Sequence, residues 1–91
     1  MPQASVDVTI INRLGLHARP AMSVVDVAAT FSSDVKISNG TQTVDAKSIM
    51  QIMMLAATQG TALQIHADGP DAEQAVAALK DLVDRKFDDP E

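Results

Sequence analysis

The residue with the most chemistry available to it is His17, within Gly15-Leu16-His17-Ala18-Arg19-Pro20-Ala21. The residues after it predict a helix, so His17 stands at that helix's first turn. An imidazole can attack an electrophile through a ring nitrogen and hold the transferred group covalently. The first N–H groups of a helix have no internal partner and carry partial positive charge, which favours anions and disfavours an imidazolium. The placement therefore predicts a neutral nucleophile. A phosphoryl group taken by it would find N–H donors at the helix mouth and the forked guanidinium of Arg19. Gly15 permits a sharp turn into the helix. Pro20 stiffens the first turn, where its missing N–H costs nothing. By position alone, His17 equally fits a plain exposed cap residue. Its neighbours favour the functional reading.

A second candidate is Ser48, placed as the N-cap of a short apolar helix, where its hydroxyl can accept from a free backbone N–H. Capping alone explains a serine there. The residues that follow, Ile49, Met50, Ile52, Met53, Met54 and Leu55, are too many apolar side chains for one face of a short helix. A helical wheel gives Ile52, Leu55 and Ala56 to the core and leaves Ile49, Met50 and Met53 outside. Exposed methionine is adaptable and suits several partners. His66, the only other histidine, falls on the polar side of a strand and needs no role. With no cysteine in the chain, no metal site is expected.

The elements that must position these residues follow from periodicity. Val6, Val8 and Ile10 alternate with polar residues as a first strand. Asn12 to Gly15 reads as a loop and Ala18–Ala29 as a helix, with Ala21, Val24, Val25 and Ala28 inward. Val35 and Ile37 mark a second strand, Asn39-Gly40 a hairpin turn, and Thr41–Ala46 the returning strand. A helix over residues 49 to about 57 follows, then a strand alternating at Leu63, Ile65 and Ala67. Asp71 and Gln74 resemble a capping box, and the last helix carries the stripe Ala72, Ala75, Val76, Leu79, Leu82 and Val83. From Phe87 to Glu91 a frayed polar tail is expected. The order β-α-β-β-α-β-α predicts an α+β fold of two layers, with a four-stranded antiparallel sheet and three helices on one face.

The chain has 91 residues and a net charge of −5, which fits one small domain and argues against nucleic acid or anionic membrane as partners. Its N-terminus has no signal-peptide pattern and no apolar run is long enough to cross a bilayer, so a cytoplasmic location is expected. There is no Walker-type loop, no carboxylate pair near His17 and no evident cofactor site, so the chain is expected to carry a group and not to act as a self-sufficient enzyme.

The segment from Gly15 to Ala21 resembles the active-site motif of the HPr family, the histidine-containing phosphocarriers of the phosphoenolpyruvate-dependent sugar phosphotransferase system. Lys47-Ser48-Ile49-Met50 resembles that family's regulatory serine site, and the resemblance runs from about Val6 to Val83. It implies an open-faced β-sandwich, a phosphoryl group accepted from enzyme I on the δ1 nitrogen of His17, and its donation to enzyme IIA domains. It assigns Arg19 to the phosphoryl group and the backbone of Ala18 and Arg19 to its oxygens. It implies a partner-docking surface at Leu16, Ala21, Lys47, Ile49, Met50 and Met53. It also implies phosphorylation of Ser48 by an HPr kinase/phosphorylase in some bacteria, with Lys47 partly offsetting the added charge. Gln51 departs from the small glycine that many relatives carry. A monomer suffices for these roles. The same residues would serve a nitrogen-related HPr paralogue in a regulatory phosphorelay. A Ser48-regulated binding module is a third reading, and the presence of His17 lowers it.

Overall fold

A computed structural model describes residues 2–88. Strand β1 (Gln3–Thr9) leads into α1 (Ala18–Ala29), the hairpin β2 (Asp34–Ser38) and β3 (Thr43–Asp45), α2 (Ile49–Met54), β4 (Ala62–Asp68) and α3 (Ala72–Asp84). The sheet order is β1-β4-β2-β3 and every neighbouring pair is antiparallel. This is the predicted α+β architecture. Alternation along each strand sends Val8, Leu63, Ile65, Ala67, Val35, Ile37 and Val44 to one buried face. Asp7, Gln64 and Lys36 lie exposed on the other, which makes the sandwich open-faced. Helices α1 and α3 cover the apolar face, and α2 packs beside α1 and against β3. The predicted stripe of α3 is buried at all six positions.

Several local expectations are corrected. The hairpin turns one residue later than Asn39-Gly40 suggests, because Asn39 N donates to Gln42 O and leaves Gly40 and Thr41 as the central pair. The Asn39 side-chain oxygen also accepts from the backbone N of Thr41 and of Gln42 at 3.0 and 2.8 Å, so the returning strand starts at Thr43. Helix α2 stops at Met54, and Ala56 turns out of it with φ +50, so Ala56 is exposed and Ala57 is buried in its place. The Asp71–Gln74 capping box does not form. Instead the Asp71 carboxylate accepts from the Ser33 hydroxyl and from the backbone N of Ser32 and Ser33, which fastens the loop before β2 to the start of α3. Those bonds, led by the Ser33 hydroxyl, hold its carboxyl below the usual carboxylate range.

The tail correction bears on the core. Phe87 is buried, not frayed, at 4% exposure. Lys86, Phe87 and Asp88 all have positive φ, a left-handed turn that swings the ring back onto the helical layer. There it shares a small void with Leu16, Val24, Leu79 and Val83. The rest of the expected tail lies outside the described residues.

Candidate functional site

His17 sits on a platform built by its predecessors. Asn12 is completely buried, and its side-chain amide donates to Gly15 O at 2.8 Å while Gly15 N donates back to Asn12 O at 3.2 Å. Gly15 has φ +69, and a Cβ there would run into Ala57 O and lie 2.8 Å from Thr58 Cα. Only glycine fits both demands. The next residue, Leu16, donates its N–H to Ala57 O at 2.9 Å and buries its side chain. The loop before α1 is thereby locked to the loop after α2.

His17 is the N-cap of α1, with extended backbone (φ −79, ψ −173), and its carbonyl takes the first intrahelical bond from Ala21 N at 3.0 Å. Its half-buried ring does not cap the helix. Pro20 stands third in the helix and is buried, so it contributes rigidity and no donor. Among the described residues the N–H groups of Ala18 and Arg19 find no acceptor, and the exposed Arg19 guanidinium makes no ion pair. An imidazole, two converging N–H donors and a guanidinium thus share one helical turn. That arrangement can hold a tetrahedral anion on the ring.

Ser48 caps α2 as expected: its hydroxyl accepts from Gln51 N at 3.4 Å. The Gln51 side chain reaches back to Asp45 N at 2.9 Å, so this residue helps hold the entry to α2. Lys47 Nζ donates to Phe31 O at 2.9 Å, just past the end of α1. Its ammonium therefore completes the C-terminus of α1 and is not held for Ser48. The Lys47–Phe31 and Leu16–Ala57 bonds together fix the direction of α2. Its start lies by the end of α1 and its end lies by the start of α1, so the helices run antiparallel. Helix α2, about 9 Å long for its six residues, spans only part of the twelve-residue α1, and the Lys47 side chain bridges the rest, so Ser48 lies at the end of α2 away from His17.

The apolar surface differs from the expected one. Ile49, Met50 and Met53 are exposed. Leu16 and Ala21 are not, at 5% and 0% exposure, and cannot offer docking surface. Leu16 is turned inward by the Asn12–Gly15 loop, and Ala21 lies on the inward stripe of α1. Their place is taken by Ile11, Leu14, Met22 and Met54, all exposed and absent from the sequence reading of the surface. Met22 was legible, being one turn on from Ala18 and off the buried stripe. Asn12 was not, since a polar residue in a loop gives no sign of burial.

His66 lies on the open sheet face, with its Nδ1 2.8 Å from the Ser5 hydroxyl, and is not brought to His17. No group of three or more metal-ligating side chains occurs among the described residues.

Comparison with known proteins points one way. The family described as "PTS HPr component phosphorylation site" matches residues 4–85. The phosphocarrier protein HPr of Cupriavidus necator is 48% identical over 81 residues, which is 89% of this chain and 91% of that protein. The crystal structure of HPr-C-His from Thermoanaerobacter tengcongensis superposes with a TM-score of 0.91 at 42% identity, covering 97% of this chain and 99% of that one. An HPr dimer from the same organism superposes at 0.75 with 45% identity, covering 90% and 94%.

Proposed function

The chain belongs to the HPr family of phosphocarriers of the phosphotransferase system, and on that premise we propose that His17 is its phosphoryl-bearing residue. In this reading the δ1 nitrogen of His17 attacks the phosphorus of phospho-enzyme I, which is charged by phosphoenolpyruvate. The bond to the donor breaks as the new N–P bond forms. The phosphoryl oxygens settle on Ala18 N, Arg19 N and the Arg19 guanidinium, and an enzyme IIA domain then takes the group by the reverse motion. The carrying observation is the pair of N–H groups that find no acceptor among the described residues, in the same turn as the half-buried ring. They are in place before the anion arrives, so its stabilisation requires little reorganisation. The partners complete each reactive centre. The chain itself works as a cytoplasmic monomer without a cofactor, and no described helix is long and apolar enough to cross a membrane.

Charge partition supports the choice of partner. Residues 10–25 and 46–61 hold Arg13, Arg19 and Lys47 and no carboxylate, with Asp26 and Asp45 at their borders, so this side is less acidic than the chain of −5 as a whole. The apolar surface around Ile49, Met50 and Met53 therefore suits a partner face with an apolar centre and an acidic rim. Phosphorylation of Ser48 would place a dianion within that surface. Over a separation of about the length of α2, roughly 9 Å, one pair of unit charges interacts in water by about 0.5 kcal/mol before screening. In this reading a phosphoryl group on Ser48 acts mainly on partner docking.

Incubation with enzyme I, magnesium and phosphoenolpyruvate, followed by intact mass, tests the carrier role. One acid-labile phosphoryl group is expected, absent in His17→Ala and present in Ser48→Ala. An unlabelled wild type beside a competent enzyme I would refute it. With an HPr kinase and ATP, the expected adduct is acid-stable and lost in Ser48→Ala.

A further inference from the structure

Methionine is ordinarily among the most buried residues. Here every methionine among the described residues is exposed: Met22 at 55%, Met50 at 76%, Met53 at 41% and Met54 at 64%. The chain has no cysteine, so these thioethers are the accessible sulfur among the described residues. They also share a side of the molecule. Met22 lies one turn beyond Ala18 and Arg19 at the mouth of α1. Because α2 runs antiparallel to α1, Met53 and Met54 lie at the end of α2 nearest that mouth, and Met50 lies nearest Ser48. The sulfurs span the surface between His17 and Ser48.

The lone pair of such a sulfur attacks an oxygen of a peroxide. The O–O bond breaks, an S–O bond forms, the thioether becomes a sulfoxide in a two-electron oxidation, and the peroxide leaves as water. A flexible apolar side chain becomes a polar one, and a thiol-driven reductase restores it. None of the four supports the core, so the fold should survive while the surface loses apolar character.

We propose that Met22, Met50, Met53 and Met54 form a reversible oxidation site, at which a peroxide weakens the carrier's docking to its phosphoryl-transfer partners. The proposal rests on the reading of this surface as the docking side.

The test compares untreated protein with protein treated with hydrogen peroxide until intact mass and peptide mapping show four sulfoxides at these positions. Phosphorylation of His17 by enzyme I is then measured over a range of carrier concentrations. The expected result is a KM raised about tenfold with the limiting rate nearly unchanged, since a sulfoxide alters the docking surface and not the ring. Methionine sulfoxide reductases with a thiol should restore the KM. A protein with all four changed to leucine (M22L, M50L, M53L, M54L) should show the same KM before and after peroxide, whatever its starting value. The melting temperature of the oxidised wild type is followed in parallel and is expected to hold. An unchanged KM in the oxidised wild type would overturn the proposal, and so would an equal loss in the leucine variant. Failure of the untreated wild type to be phosphorylated would instead refute the carrier reading itself.

Discussion

Gly15→Ala offers the sharpest test of how His17 is held, with Gly60→Ala as its control. Both glycines have positive φ, +69 and +91, but a Cβ at Gly60 meets nothing within 4 Å. Alanine in that region costs about 1–2 kcal/mol, of which about 0.4–1 is recovered from a less free unfolded chain. Gly60→Ala should therefore destabilise by about 1 kcal/mol or less. At Gly15 the same term is joined by collision with the backbone at Ala57 and Thr58. Backbone cannot rotate away like a side chain, and overpacking of this kind costs about 1–3 kcal/mol more. The expected total for Gly15→Ala is about 3 kcal/mol, against a total stability of about 5–14 kcal/mol for a domain of this size. That corresponds to a melting point lower by about 10–20 °C. Urea unfolding at 15 °C measures both variants, and phosphorylation by enzyme I is assayed at the same temperature, where both remain folded. The clash is relieved only by parting the two loops, which breaks the Leu16 N–Ala57 O bond and shifts His17. Gly15→Ala should thus transfer more slowly even when folded, and Gly60→Ala should keep the wild-type rate. Equal unfolding midpoints for the two variants would refute the steric argument. An unimpaired transfer rate in folded Gly15→Ala would refute the claim that this lock positions the ring.

Three further outcomes follow from the same packing. Asp71 has its folded pKa held below its ordinary value of 3.8, so its contribution to stability is present above that value and is lost as the pH falls through the lower folded one. The stability difference between wild type and Asp71→Asn, read from urea midpoints, should shrink on moving from pH 7 to the acidic end of the carboxylate range. Phe87→Ala should destabilise by about 3 kcal/mol, since it empties a buried ring site beside Leu16 and Leu79; a frayed residue would give no measurable loss by the same urea titration. Asn12→Ala strands the buried Gly15 carbonyl that its amide satisfies, so a loss of roughly 2 kcal/mol is expected, together with slower phosphorylation of His17.

The parts of the fold governed by local rules were legible in the sequence. Alternation placed three strands and the hairpin signal the remaining one, which starts two residues later than read; the stripe of α3 was right at each position because a 3.6-residue period determines its inward face. The mouth at His17 was legible for a similar reason. A glycine, a histidine, an arginine and a proline within six residues describe one turn of backbone, and little from the rest of the chain alters it. What escaped notice depended on distant partners. Asp71 looked like a local cap, yet Ser32 and Ser33, nearly forty residues earlier, claim its carboxylate. Leu16 seemed available for docking until Asn12 and Ala57 turned it inward. Phe87 sits among charged residues, and the left-handed turn that buries it contains no glycine to announce it. Ala56 was given to the core by a wheel that assumed the helix continued.

The antiparallel ties between α1 and α2 have an organisational consequence. They hold His17 and Ser48 at different ends of the paired helices, and in the proposed reading these are the two positions that take a phosphoryl group. In that reading, cargo is written at one end and an address at the other. Either mark can be added or erased without rebuilding the other's surroundings, yet any protein that lands on the face must read both. In a relay built on this chain, traffic can be rerouted by changing who is admitted while the transfer reaction itself stays tuned.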